Sequence, residues 1–158
     1  MTDNYIGIMI ESLRRKKDVL TDILKLSEEQ SLLLDDPNLE PDTFEKNVNR
    51  KAALIEKLEQ LDTGFESLYD KVKEELESNR DIHKKQIRQM QELIRALTEL
   101  NMQIQATEAR NKEKATAKFA YIRQQAKEIR SSQKIVKEYY NNMMHKAYNE
   151  PHFLDNKK

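Results

Sequence analysis

Apolar side chains recur at alternating steps of four and three along residues 79–148, a stretch with neither glycine nor proline. These steps return a side chain to the same face of a helix, which is the pattern of a coiled coil. One run comprises His83, Ile87, Met90, Ile94, Leu97, Asn101 and Ile104, and a second comprises Phe119, Ile122, Ala126, Ile129, Gln133, Val136, Tyr140, Met143 and Ala147. The spacing gains one residue between the runs, where positions 107–118 are charged, polar or alanine. The pattern predicts one long helix over 79–148, with two apolar halves joined by a polar segment that packs poorly.

Two shorter helices are predicted upstream, over residues 3–34 and 41–77. Turn-forming residues separate them, and Pro37 disfavours helical backbone at the preceding Asp36. Pro41 suits the first turn of the second helix, where a missing amide proton costs nothing. The apolar stripe of this helix keeps its phase across Gly64, so we expect the helix to continue through that glycine. The turn before the long helix is marked only weakly, by Ser78, Asn79 and Asp81.

These elements predict an all-α fold in one helical domain, residues 1–158, with a tail over 149–158. The expected architecture is an antiparallel three-helix bundle or coiled coil whose third helix is extra long and can fold back as a fourth. Its core should include Leu58, Phe65, Ile94 and Leu97, on facing stripes of the second and third helices.

The lengths of the helices leave residues 112–148 without a partner. At about 1.5 Å per residue, each upstream helix is roughly 50 Å long, as is the long helix from residue 79 to 111. The two upstream helices can therefore cover only the first half of the long one. The second half must fold back, pair with another copy of the chain, or bind a partner.

Composition narrows the class of protein. Charged residues make up 35% of the chain and hydrophobic residues 37%, with only 2 Gly, which is typical of long helices. There are no cysteines, no apolar run of membrane-spanning length and no basic start of a signal peptide. We therefore expect a cytoplasmic protein without disulfides or membrane insertion.

The net charge of zero hides two halves of opposite sign. Residues 1–78 hold 11 Lys+Arg and 19 Asp+Glu, a net charge of −8, and residues 79–158 hold 17 and 9, a net charge of +8. The simpler interpretation is that the halves are complementary faces of one bundle, and the alternative is that the basic half attracts an acidic partner.

The sequence contains no recognisable catalytic, metal or cofactor motif. His83, His145 and His152 are scattered, and no phosphate-binding glycine loop or nucleophile elbow is present. The carboxylates are expected to be solvated, and Lys16, which interrupts the first stripe, to extend its ammonium to solvent. The basic half contains aromatic residues but no nucleic-acid-binding motif. We expect neither an enzyme nor a nucleic-acid-binding protein.

The second apolar half of the long helix is the candidate binding surface. It is rich in Tyr and Met, which suit adaptable interfaces because methionine repacks easily and tyrosine joins apolar area to a polar tip. The alternative interpretation is that this stripe is part of the core. The candidate residues, called the C-terminal stripe below, are Phe119, Ile122, Ile129, Val136, Tyr139, Tyr140, Met143 and Met144.

Residues 51–72, KAALIEKLEQLDTGFESLYDKV, resemble the second-helix region of FlgN-type flagellar export chaperones, in which a lysine precedes a leucine-rich run ending in Leu-Asp. The first helix, with Leu20 and Leu24 leading to the segment SEEQ, and the tail AYNEPHFLDNKK are also similar to that family. Within the tail, Phe153 and Leu154 either pack back onto the bundle or dock to a partner.

The resemblance implies a function. Such a chaperone binds the hook-associated proteins, which form the junction between hook and filament, and keeps them unassembled until the flagellar type III export apparatus secretes them. In that family the C-terminal amphipathic helix holds the client, and the resemblance implies client contacts at five positions of the C-terminal stripe: Ile122, Ile129, Val136, Tyr140 and Met143. The basic character of this half departs from the family's acidic tendency. Two alternatives stay open: a FliT-like chaperone of the filament-cap protein, and a structural coiled-coil protein whose C-terminal half forms a homodimer.

Overall fold

The computed structural model describes the backbone of residues 2–125 and 130–149 and the side chains of residues 4–124 and 134–143. Within these ranges the chain forms four helices and no strand: α1 (Thr2–Asp35), α2 (Pro41–Ser78), α3 (Lys84–Gln125) and α4 (Arg130–Asn149). The prediction of an all-α helical bundle is confirmed. Phe153 and Leu154 lie outside the described residues.

The turn between α1 and α2 follows from the residues that compose it. The Asp36 carboxylate accepts a hydrogen bond from the Asn38 backbone amide at 2.9 Å, a local pairing that competes with helical backbone. The Leu39 amide donates to the Asp36 carbonyl at 3.3 Å, and α2 then starts with Pro41. Both α1 and α2 lie within one residue of the predicted bounds.

Glu75, in the last turn of α2, holds the turn between α2 and α3 in place. Its carbonyl accepts a hydrogen bond from the Asn79 amide, and its carboxylate accepts one from the Asn79 side chain, each at 2.9 Å. The buried His83 ring lies 3.3 Å from the same carboxylate. Residues 79–83 therefore form the turn, and α3 begins at Lys84, five residues later than predicted.

The helices lie at the corners of a square in cross-section. Along the described residues α1 packs against both α2 and α3, whereas the backbones of α2 and α3 scarcely approach each other. These two helices therefore occupy opposite corners, with α1 at the corner between them. α4 packs against α2 and α3 and takes the corner opposite α1.

The core follows the apolar stripes of α1, α2 and α3. Leu58 and Leu97 are 1% and 0% exposed and Phe65 is buried, as predicted, whereas Ile94 is only half-buried. α2 continues without interruption through Gly64, as predicted from the constant phase of its apolar stripe. Each apolar side chain buried in this core contributes roughly 1.5–3 kcal/mol to folding, before the cost of ordering it.

The predicted single helix over 79–148 is wrong, and its second half folds back. The Tyr140 ring of α4 lies 6.3 Å from the Phe119 ring of α3, centroid to centroid. In a continuous helix, 21 residues of separation would place them about 30 Å apart. The chain must therefore reverse direction between them, and the fold-back alternative describes the structure.

Candidate functional site

The structure places the C-terminal stripe mainly inside the bundle. Phe119, Tyr140 and Met143 are 8%, 2% and 1% exposed. The stripe also includes half-buried side chains, which are Ile122, Val136 and Tyr139. Ile129 lies outside the described residues, and Met144 belongs to α4 but its side chain lies outside the described ones. In the free chain the described residues of the stripe are therefore buried or half-buried within the bundle.

Three aromatic rings hold α4 in place. The Tyr140 ring stacks on Phe44 of α2, with centroids 6.0 Å apart and ring planes at 24°. It meets the Phe119 ring edge-on at 79°. Such pairs add about 0.5–1.5 kcal/mol each to the area they bury. The spacing of the apolar stripe of α2 includes Phe44, but no local feature of the sequence identifies its partner as a tyrosine 96 residues away.

A polar side chain of α2 lies at the edge of α4 next to these rings. The Tyr139 phenol of α4 is near the carboxylate of Glu45 in α2. Hydrogen bonding to Glu45, together with its negative charge, raises the pKa of the Tyr139 phenol above its ordinary value. The region of α2 and α3 that holds α4, around Phe44, Glu45 and Phe119, is called the α4 seat below.

The outer face of α4 is polar. Lys134, Lys137, Glu138, Asn141 and Asn142 are exposed, and Ile135 is 49% exposed between them. Of the described α4 side chains, only Tyr140 and Met143 are fully buried. Each of these two side chains contributes roughly 1.5–3 kcal/mol before ordering costs, so the described side chains of α4 contribute far less than the long stripes that join α1 to its neighbours. On this basis we expect α4 to leave the bundle more easily than the other helices.

A buried polar network crosses the bundle below the α4 seat. Lys51 of α2 forms an ion pair with Glu108 of α3, and both side chains are almost completely buried. The Ser27 hydroxyl of α1 donates to the same Glu108 carboxylate at 2.6 Å. Asn111 donates to the Ser27 carbonyl at 2.9 Å and to the Gln30 amide oxygen at 3.2 Å. Burial lowers the pKa of Lys51, and the negative charge of Glu108 partly opposes this shift.

The buried polar residues of the bundle correct three expectations from the sequence. The polar segment over 107–118 packs closely, because Glu108 and Asn111 are buried and hydrogen-bonded there. The carboxylates are not all solvated, since Asp62 is buried as well. Lys16 does not extend to solvent but is buried in an ion pair with Asp62.

Within the described residues, these groups do not form a reaction centre. Lys51 and Glu108 are enclosed by three helices, so a substrate has no access to them. No cluster of three or more His, Asp or Glu side chains in the described part of the chain could hold a metal ion. In those same ranges, no helix is both long enough and apolar enough to cross a membrane.

Comparison with known proteins identifies one family. The family model described as "FlgN protein" matches residues 1–147, which is nearly the whole chain. No curated protein and no solved structure matches this chain.

Proposed function

The chain belongs to the FlgN family of flagellar export chaperones, and we propose that it binds hook-associated proteins in the cytosol through the apolar face of α4. It keeps these clients unassembled and passes them to the flagellar type III export apparatus. It acts by binding alone, with no catalytic step. The observation that carries this proposal is the apolar face of α4, whose described Tyr and Met side chains pack on the seat at one end of the bundle.

The mechanism is an exchange of partners by α4. In the free chain, Tyr140 and Met143 are buried against α2 and α3. When α4 leaves the seat, the same face can pack against an apolar helix of the client. The apparent affinity for the client is then the intrinsic affinity of a free α4 multiplied by the fraction of chains in which α4 is free. Because the contacts between α4 and its seat contribute only a few kcal/mol, they lower the apparent affinity for the client only in part. The same contacts cover the apolar face of α4 when no client is present.

The residue types of α4 support this role. Met143 fills irregular apolar contacts without a fixed shape, and Tyr139 and Tyr140 supply area at low entropic cost. The same face can therefore fit its own seat and a client of different shape. The apolar face of α4 is buried within a single chain, so the proposed mechanism does not require a homodimer to cover it.

A cross-link between α4 and its seat tests the proposal. The native sequence has no cysteine, so the pair Glu45→Cys and Tyr139→Cys can be joined selectively by a short bifunctional thiol reagent. The unlinked double variant should bind a purified hook–filament junction protein, and the linked one should bind it at least about tenfold more weakly, because α4 cannot leave. Isothermal titration calorimetry measures both.

A matched cross-link controls for general rigidity. Asp35 and Lys114 form an ion pair of 2.9 Å between α1 and α3, on the side of α3 that faces α1. Linking cysteines at these two positions should leave client binding unchanged. Equal binding by the linked and unlinked α4 variants would show that the client contacts another surface. Binding of the filament-cap protein in place of the junction protein would support the FliT-like alternative.

A further inference from the structure

An open groove extends the α4 seat towards the turn between α2 and α3. It contains a cavity of about 550 Å³. Met9 of α1 forms part of its floor. Its apolar walls come from α2 and α3, and include Phe65, Tyr69, Leu76, Ile87, Met90 and Ile94. We call this region the lower groove.

The lower groove is the corner of the bundle that α4 does not reach. The α4 seat lies beside Phe44, and Tyr69 is about 38 Å further along α2 at 1.5 Å per residue. α4 ends at Asn149, only about 14 Å beyond Tyr140. The described part of α4 therefore fills one end of the corner opposite α1, and the cavity lies at the other end.

The side chains along the groove indicate a contact surface. Tyr69 is 37% exposed and lines the cavity. Met102 is 63% exposed and lies three helical turns beyond Gln91 on the same side of α3. Tyrosine and methionine are both frequent at the centres of protein interfaces.

The two walls carry opposite charge. On α2, the exposed residues at alternating steps of four and three along the groove are Glu66, Asp70, Lys73 and Glu77, three acids and one base. On α3, the corresponding exposed residues are Lys84, Arg88, Gln91 and Arg95, three bases and no acid. Asp70, Glu77 and Gln91 line the cavity itself, together with Arg80 of the turn between α2 and α3. Lys84 and Arg88 line the adjoining pocket, together with Arg80 and Asp81 of that turn.

We propose that the lower groove binds an amphipathic helix of another protein, with basic residues along the flank beside α2 and acidic residues along the flank beside α3. The apolar stripe of that helix packs on Phe65, Tyr69, Met90 and Ile94 and continues the line of α4. From Lys84 to Met102 the groove is about 27 Å long, which accommodates a helix of about 18 residues. This site goes beyond the client contact proposed for α4, because it includes none of the C-terminal stripe and lies at the other end of the bundle.

The charges select the partner more than they strengthen its binding. Opposite charges across an exposed rim steer association and disfavour partners with the wrong sign. A helix with acids on both flanks meets repulsion from α2, and one with bases on both flanks meets repulsion from α3. A helix with one flank of each sign can orient itself so that both walls are matched.

A designed peptide tests the selectivity directly. The probe is a fluorescein-labelled 18-residue helix with a leucine and isoleucine stripe, lysines along one flank and glutamates along the other. Its control has the same stripe with glutamates on both flanks. Fluorescence anisotropy at low salt should show the mixed peptide binding the wild-type chain at least about tenfold more tightly than the all-acidic one.

Reversing the charge of one wall should reverse this preference. The double variant Asp70→Lys and Glu77→Lys makes both walls basic, so it should prefer the all-acidic peptide. The control variant, Asp18→Lys with Asp22→Lys, makes the same charge change at exposed positions of α1 and should keep the wild-type order. Tyr69→Ala with Met102→Ala should weaken both peptides several-fold, and these exposed positions can change without loss of the fold.

Other occupants of the groove give different results and would overturn the proposal. If the wild-type chain sediments as a dimer that Asp70→Lys with Glu77→Lys dissociates, the groove binds a second copy. If the mixed peptide binds only a chain shortened to end at Asn149, the groove belongs to the chain's own C-terminal residues. Equal affinity of the two peptides for the wild-type chain would show that its charged walls do not select a partner.

Discussion

At the scale of single residues, the largely apolar core of the bundle contains two buried ion pairs. Lys51 and Glu108 are enclosed by α1, α2 and α3, and Lys16 and Asp62 form a second such pair. Moving charges out of water costs several kcal/mol for each ion, and the pairing offsets this only when the geometry and the other hydrogen bonds are good. Glu108 meets that condition at one oxygen only: Oε1 accepts from both Lys51 and Ser27, whereas Oε2 is buried without a hydrogen-bond partner among the described residues.

Removing one member of the Lys51–Glu108 pair should therefore be much more costly than removing both. Glu108→Leu leaves an unpaired buried ammonium and should lower the free energy of unfolding by about 3–5 kcal/mol. The double variant Lys51→Met with Glu108→Leu should recover most of that loss, since an apolar pair of similar volume has no desolvation cost. Urea denaturation of the wild type, Lys51→Met, Glu108→Leu and the double variant measures the coupling free energy between the two residues. Additive losses would show that the two residues do not act as a pair.

At the scale of the helix, α2 continues through Gly64 although glycine is among the weakest helix formers. A Cβ atom at this position would meet no atom within 4 Å, and no residue of the described chain has the positive φ that favours glycine. The glycine is therefore required neither by close packing nor by an unusual backbone conformation. The packing of α2 against its neighbours overrides the local preference.

Gly64→Ala should stabilise the protein. Alanine is favoured over glycine in a helix interior by about 1 kcal/mol, which corresponds to a rise of about 2–4 °C in Tm for a chain of this size. Gly7→Ala is the control, since Gly7 also has open space around it but lies near the start of α1, where a helix frays. Its gain, measured by the same thermal melts, should be smaller. A loss of stability on Gly64→Ala would show that the glycine serves a bend or a contact.

The helices also show which elements a single sequence can predict. The bounds of α1 and α2 follow from apolar spacing, Pro37 and Pro41, because turn residues mark the chain locally. The reversal between α3 and α4 lacked such a signal, since residues 126–129 read Ala-Lys-Glu-Ile, with neither glycine nor proline. Apolar spacing reports the face of a helix and not its direction, so two antiparallel helices in phase look like one long helix.

At the scale of the whole molecule, the opposite charges of the two halves meet where the helices pack. Lys114 of α3 reaches the Asp35 carboxylate of α1 at 2.9 Å, and Lys118 donates to the Asp36 carbonyl at 2.6 Å. These contacts support the interpretation of the halves as complementary faces. The acidic and basic walls of the lower groove have the same origin, because α2 belongs to the acidic half and α3 to the basic half.

The candidate site was only partly predictable for a similar reason. The C-terminal stripe was recognised from its Tyr and Met residues, and Phe119, Tyr140 and Met143 do lie close together on it. What covers them depends on Phe44 and Glu45, which are about 95 residues away and carry no local mark of that role. Amphipathic spacing identifies a face that needs a partner, and only the tertiary structure identifies the partner.

Shortening the chain to end at Gln125 separates the bundle from its displaceable helix. The stripes of α1, α2 and α3 stay intact, so the shortened protein should still fold, with a free energy of unfolding lower by about 3–6 kcal/mol from the lost burial of Tyr140 and Met143 alone. Binding of a hook–filament junction protein should be lost with α4. The mixed-flank peptide should still bind, because the lower groove does not include α4.

Leu97→Ala in the full-length chain provides the matched control. Leu97 is completely buried, and its truncation should cost about 2–5 kcal/mol, close to the cost of losing α4. This variant retains α4, so it should still bind the junction protein at temperatures well below its Tm. Calorimetry and thermal melts on the two proteins then distinguish loss of stability from loss of the client surface. If the shortened chain does not fold, α4 is part of the essential core. If it folds and still binds the junction protein, the client contacts α1, α2 or α3 and α4 only covers the end of the bundle.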